Sequence, residues 1–279
     1  MIKSIETKTI DSQDLYRYLS SAITPRPIAF VSTINNNGNR NLSPFSFFNV
    51  FSVTPPILIF SPVNRVRNNT TKHTLDNIKQ IKECVIALVS EDMGQQASLA
   101  SCDFDADVNE FKKAGFTEVE SDLISPPRIK ESPVNFECKV NEIIELGNKG
   151  GSGNLIICEI LKIHLAENIL DKDNAIDPKK LNIISRLGKN WYAKTTEESL
   201  YKITKPISKI GMGIDQLPKT IRNSNILSGS DLAILASAEK IPEKKYFIIR
   251  DNKNTSEKHI LAKQFLKEQK ITEAWQVLL

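Results

Sequence analysis

Between residues 24 and 74 the chain concentrates side chains that could hold a planar, partly polar ligand. Arg26 sits between two prolines, Ser32 and Thr33 adjoin in one apolar run, and Asn41, Ser43, Ser46 and Asn49 alternate with phenylalanines in NLSPFSFFNVFS. A heterocycle needs this mixture: apolar or aromatic contact for its face, and backbone amides and hydroxyls for its edge heteroatoms. The same residues would also suit a strand whose phenylalanines are core and whose serines are solvated. Further on, Ser61 ends another apolar run, and Arg65, Arg67, Lys72 and Thr74 come at the start of TLDNIKQIKE. Cations and a hydroxyl where a helix begins describe a phosphate site, because free N–H groups and the helix dipole both favour an anion there. A solvated basic loop before an N-capped helix, with Thr70, Thr71 or Thr74 as the cap, would read alike.

Other chemistries find few parts. There is no G-x-S-x-G elbow, no Walker A sequence, and no G-x-G-x-x-G after a strand; the glycines of GNKGGSG serve a hairpin turn. The four cysteines form no C-x-x-C pair, and none has a histidine at metal-ligand spacing. Cys84, Cys138 and Cys158 lie in apolar segments and read as buried reduced thiols. His164 reads as a half-exposed strand residue, and Trp191 and Tyr192 either cover the edge of a planar ligand or, in the favoured reading, pack to close the bottom of a barrel.

The elements that must position these residues are mostly strands. PIAFVSTI is followed by the turn NNNGN, a return strand through NLSPFSFFNVFS, and PPILIFSP, bounded by prolines at both ends. Leu75, Ile78 and Ile81 give TLDNIKQIKE a helical period, CVIALVS is the next strand, and SLASCDFDADVNEFKKAG holds one or two short helices ending at Gly115. NFECKVNEIIELG and GNLIICEILKIHLAE alternate on either side of the glycine-rich turn and predict a long hairpin. Short strands interrupted by two helical excursions predict a mainly β fold, a closed or nearly closed barrel over residues 1–192. A polar connector begins near residue 170, and Pro206 and Pro218 punctuate a stretch without strand pattern. SDLAILASAEK, SEKHILAKQFLKEQ and ITEAWQVLL then make 193–279 an α-helical extension expected to pack on the barrel.

Composition removes whole classes of partner. In 279 residues, 37 Lys+Arg against 33 Asp+Glu leave a net charge of +4, too small a field to drive duplex nucleic-acid binding. No apolar run approaches the roughly 18 to 20 residues that span a bilayer, and MIKSIETKTIDSQDLYRYL has no apolar signal core. The chain therefore reads as cytoplasmic, with neither nucleic acid nor membrane as a partner.

Taken together, RPIAFVST, the stretch from Gly38 through Asn41 to Asn49, Pro55-Pro56, and the Lys72-x-Thr74-x-x-Asn77-Ile78 pattern resemble the flavin reductase-like family of FMN-binding split barrels. The likeness continues through NFECKV and LIICEI and covers roughly residues 15 to 192. It implies an FMN-binding split β-barrel with a helical C-terminal extension, as in the longer members. It also implies a homodimer with one FMN per barrel near the subunit interface, and hydride transfer from NAD(P)H to the flavin. A flavoredoxin-type carrier without nicotinamide turnover is the alternative. Carried over by position, Ser32, Thr33, Ser43, Pro44, Phe45 and Ser46 would face the ring and ribityl chain, with Asn41 in the same cofactor-binding set. Arg65, Lys72 and Thr74 would hold the phosphate, with Arg26 and Ser61 contributing. Where many members carry a His-x-[apolar]-x-x-Gly-x-Val pattern on the late strand, this chain has Asn154 and Cys158. Phe45, Phe47, Phe48 and Phe51 place aromatics on both faces of one strand, so some are expected at a subunit interface.

Overall fold

A computed structural model describes residues 1–203, 210–244 and 253–279, so Pro206 and parts of the helical extension lie outside the described residues. Two compact units result, Met1–Tyr201 and Lys202–Leu279.

The first unit opens with a helix that the sequence reading missed, α1 (Ser12–Ala22), whose N-cap Asp11 accepts from the N–H groups of Gln13 and Asp14. Strands β1 (Ala29–Ile34), β2 (Arg40–Phe45), β3 (Phe48–Val53) and β4 (Pro56–Phe60) follow, with Gly38 at φ +83° supplying the left-handed turn before β2. Here the predicted single return strand through NLSPFSFFNVFS divides. Its first half pairs with β1 and its second with β4, and Ser46 and Phe47 carry the chain between them. Helix α2 (His73–Ile81) leads to β5 (Glu83–Leu88), and α3 (Gly94–Leu99) and α4 (Glu110–Ala114) follow, the latter ended by Gly115 in the left-handed region. Short pairs β6 (Glu118–Val119) with β7 (Arg128–Ile129), and β10 (Ile184–Arg186) with β11 (Tyr192–Lys194), flank the long hairpin of β8 (Val134–Glu145) and β9 (Asn154–Leu165).

Seven of these strands form one antiparallel sheet in the order β2-β1-β5-β8-β9-β4-β3. The sheet curls into a split barrel: Phe45 at one edge meets Phe60 beside the other edge, ring centroids 5.3 Å apart. Alternation decides which side chains go where. Ala29, Val31, Phe60, Ile86, Ile156 and the three buried cysteines share the barrel core with Leu75 and Ile78 of α2. Phe30, Leu42, Val85 and Ala87 face outward and are covered by Ala97 of α3 and Phe111 of α4. Cys84, Cys138 and Cys158 are free thiols in that core, as their apolar settings predict.

In the second unit α5 (Lys219–Arg222), α6 (Gly229–Ala236), α7 (Thr255–Lys267) and α8 (Ile271–Leu278) pack around Leu235, Ala262, Leu266 and Trp275. Ser228 with Asp231, and Asn254 with Glu257, form capping boxes at the starts of α6 and α7. No described helix is long and apolar enough to cross a membrane.

Candidate functional site

The crossing from β2 to β3 lines a cleft of about 650 Å³. Ser43, Pro44 and Phe45 at the end of β2, then Ser46 and Phe47, form one wall; Ser61, just past β4, and Lys72, at the start of α2, continue it. Pro44 has no N–H to give a ladder, and the sheet tolerates it in β2, paired with Phe30, because β2 is an edge strand. The facing wall is α3 with Gly94, Gln95, Ala97, Ser98 and, beyond its end, Ser101. Tyr16 of α1 and Arg186, Asn190 and Tyr192 of the β10–β11 hairpin close the far end.

At the near end cations gather on one carboxylate. Arg65 donates from Nε and Nη2 to Asp103, Arg67 donates from Nη2 to the same group, and Lys72 Nζ lies 3.8 Å from it. The Arg65 guanidinium holds the Asp103 carboxyl below its usual range. Burial and neighbouring Arg65 depress Lys72, with Asp103 pulling the other way. Lys72 occupies the N-cap position of α2 and makes no side-chain cap, so none of the three threonines caps this helix. Free N–H groups of the first turn therefore accompany the lysine.

Of the residues singled out from sequence, Ser43, Pro44, Phe45, Ser46, Ser61 and Lys72 line the cleft. Arg65 stands behind Lys72, its Nη1 donating to Thr70 Oγ1 at 3.1 Å and to the Thr71 carbonyl. Thr33, Asn41 and Thr74 are instead buried in a polar knot beside the cleft. Thr74 Oγ1 donates to Asn41 Oδ1 (2.7 Å), Asn41 Nδ2 donates to Glu110 Oε1 (2.8 Å), and Asn77 Nδ2 donates to Thr33 Oγ1 (3.1 Å). Their hydroxyls and amides are engaged with one another and fasten α2 and α4 to β1 and β2. Ser32 is fully buried with no partner for its hydroxyl and lies outside the cleft wall. Arg26 is buried behind Ser46, whose Oγ accepts from its Nε at 3.3 Å.

Asn154 and Cys158 belong to the interior as well. Asn154 Nδ2 donates to the Pro62 carbonyl and to Asn64 Oδ1, and Cys158 Sγ lies 3.8 Å from Cys84 Sγ. Neither reaches the cleft. His164 is half-buried and bonds Glu137 through Nε2 at 2.7 Å, in a cluster with Asp122 that Arg128 and Lys162 neutralise. Trp191 is 70% exposed, so it does not close the barrel, whereas Tyr192 walls the cleft. Sequence reasoning missed Tyr16 on α1, Gln95 and Ser98 on α3, and Ser101 just past α3, all outside the motif region. The amphipathic pattern of SQDLYRYLSSA was the available signal for the first of them.

Residues 20–180 match the flavin reductase like domain family. The chain is 38% identical over 196 residues to a protein of Aquifex aeolicus, covering 70% of this chain and 97% of that one. Among solved structures, nitrilotriacetate monooxygenase component B of Bacillus cereus is 28% identical with a TM-score of 0.68, over 73% of this chain and 99% of that one. A 2-nitrobenzoate 2-nitroreductase of Pseudomonas fluorescens is 26% identical with a TM-score of 0.66, over 76% of this chain and all of that one. Domain match and split barrel agree: the chain belongs to the flavin reductase-like family, a family of flavin-related oxidoreductases.

Proposed function

We propose that this chain is an FMN-binding oxidoreductase in which NAD(P)H gives a hydride to the bound flavin. The observation that carries this reading is the pairing, in one cleft, of the hydroxyl- and phenylalanine-rich crossing Ser43–Phe47 with Lys72 at the start of α2. These groups fit the two halves of FMN. Lys72 and the first-turn N–H groups suit the phosphate, with Arg65 and Arg67 adding charge behind them. Ser43, Ser46 and the local backbone suit the ring edge, and Phe45 and Phe47 offer apolar contact. When bound, the flavin supplies the two-electron chemistry. The chain's own part is to orient and to bias charge, and Asp103 now holds the Arg65 and Arg67 donors that a phosphate would take. The reductive chemistry in the name of the nitroreductase relative supports redox use of the cleft over simple binding.

The purified protein is expected to show flavin absorption bands or to acquire them with added FMN, and to oxidise NADH or NADPH as followed at the nicotinamide absorbance. Flavin retained without turnover would leave a carrier of flavoredoxin type, and no flavin binding would overturn the proposal.

We further infer a homodimer. On β3 both faces carry exposed apolar side chains, with Val50, Phe51 and Val53 at 58%, 64% and 84% exposure. An unpartnered apolar edge strand is an aggregation hazard that a second copy removes. Light scattering is expected to return twice the 31.3 kDa chain mass, and Phe51→Glu to shift it toward the monomer. Wild type that stays monomeric at micromolar concentration would sink the inference.

A further inference from the structure

The cleft has a second cationic end, and no described carboxylate neutralises it. Gly94, at the start of α3, lies against Ile184 of β10, while the end of α3 leads through Ser101 to Asp103 and Lys72. At about 1.5 Å per helical residue, roughly 10 Å of wall separates the two ends. At the Ile184 end Arg26 and Arg186 form a backbone bridge, each N–H donating to the other's carbonyl at 3.0 and 2.8 Å.

Their side chains face different fates. Arg26 is 6% exposed, and among the described residues its guanidinium donates only to neutral acceptors: Ser46 Oγ and the carbonyls of Ser20, Ile23 and Leu187. Burial depresses Arg26, with Tyr16 opposing and Arg186 reinforcing the shift. Arg186 lies 4.6 Å over the Tyr192 ring, and its side chain has one weak hydrogen bond among the described residues, at 3.5 Å to the Trp191 carbonyl. Glu91, the carboxylate in the same wall, is bonded to Lys194 at 2.8 Å. Two neighbouring guanidiniums without a counter-ion repel each other most strongly where water is partly excluded, and an arriving oxyanion offsets that cost. Tyr16 and Phe47, ring centroids 6.3 Å apart, flank the opening and with Tyr192 give flat apolar surfaces.

We propose that Arg186, backed by Arg26 and flanked by Tyr192, is a second anion subsite that takes the carboxylate or phosphate of a planar second ligand entering beside the flavin. This rests on flavin occupying the Lys72 end. Arg suits the role, since its planar fork pairs with oxyanions while its face stays on the tyrosine.

The FMN-loaded protein is titrated with NAD⁺, with benzoate, and with uncharged benzamide, each followed by perturbation of the flavin spectrum. Arg186→Gln is expected to weaken at least one of the two anions by about 10- to 100-fold. Benzamide and FMN affinities should stay within about twofold, and Arg186→Lys should recover part of the loss. A loss confined to NAD⁺ identifies dinucleotide phosphates as the source, and one confined to benzoate identifies a carboxylate substrate. Unchanged anion binding, or equal weakening of benzoate and benzamide, overturns the subsite. Should Arg186→Gln fail to fold, the wild type must prefer an anion to benzamide, with added salt eroding the preference; no preference overturns it equally. Wild type that binds no FMN defeats the flavin reading instead.

Discussion

Lys72→Ala is expected to weaken FMN by roughly 10- to 150-fold, the loss of one charge-assisted contact worth about 1.5 to 3 kcal/mol. Riboflavin, which lacks the phosphate, should lose little. The contrast isolates the helix start from the ring wall, because Lys72 and Ser43–Phe47 border the same cleft from different elements. Asp103→Asn is the companion variant and should act in the opposite direction. It removes the anion that now engages Arg65 and Arg67, and the depressed Asp103 carboxyl remains charged through neutral pH. Fluorescence titration with both flavins gives the answer, and equal weakening of FMN and riboflavin by Lys72→Ala would place the phosphate elsewhere.

Glu110→Ala should be strongly destabilising, at about 2 to 5 kcal/mol for two buried groups left unsatisfied. Glu110 is 3% exposed and accepts from Asn41 Nδ2 at 2.8 Å and from the Leu42 N–H at 3.0 Å. Its removal strands two buried donors and loosens the knot through which Thr74 anchors α2. Glu110→Gln keeps one acceptor and should cost less. Burial raises this carboxyl above its ordinary value of 4.5, against the pull of the Leu42 N–H and Asn41. The folded chain thus holds the proton more tightly than the unfolded one, and the stability this group contributes falls as pH rises above 4.5. Denaturant midpoints across that range should show Glu110→Gln with a flatter pH dependence than wild type; parallel curves would rule out titration of Glu110 as the cause.

Most strands could be read from sequence because alternation and turn chemistry are local. Gly38 and the glycines before Asn154 mark hairpins whatever the rest of the chain does. The cleft was half legible for the same reason. Ser43–Ser46 and Lys72 lie within short motifs, but Asn41, Thr33 and Thr74 have the same polar types and were grouped with them. Only the three-dimensional placement of Glu110, some seventy positions away from Asn41, shows that these side chains satisfy one another. Asp103 was invisible for a similar reason: nothing in CDFDADVN says which acidic residue will meet the basic loop.

The division of NLSPFSFFNVFS at Ser46 and Phe47 has a consequence for how the cleft comes into being. The residues on either side of that step enter two local hairpins, β1–β2 and β3–β4, at opposite edges of the sheet. What fixes one hairpin relative to the other is the intervening β5, β8 and β9, through pairings such as Ile57 with Glu159, 159 − 57 = 102 positions apart. Loop closure of that length is slow beside hairpin formation. The wall that looks most local in the sequence therefore depends on some of the most distant pairings in the unit, and occupancy of the cleft is expected to report that the whole sheet has been completed.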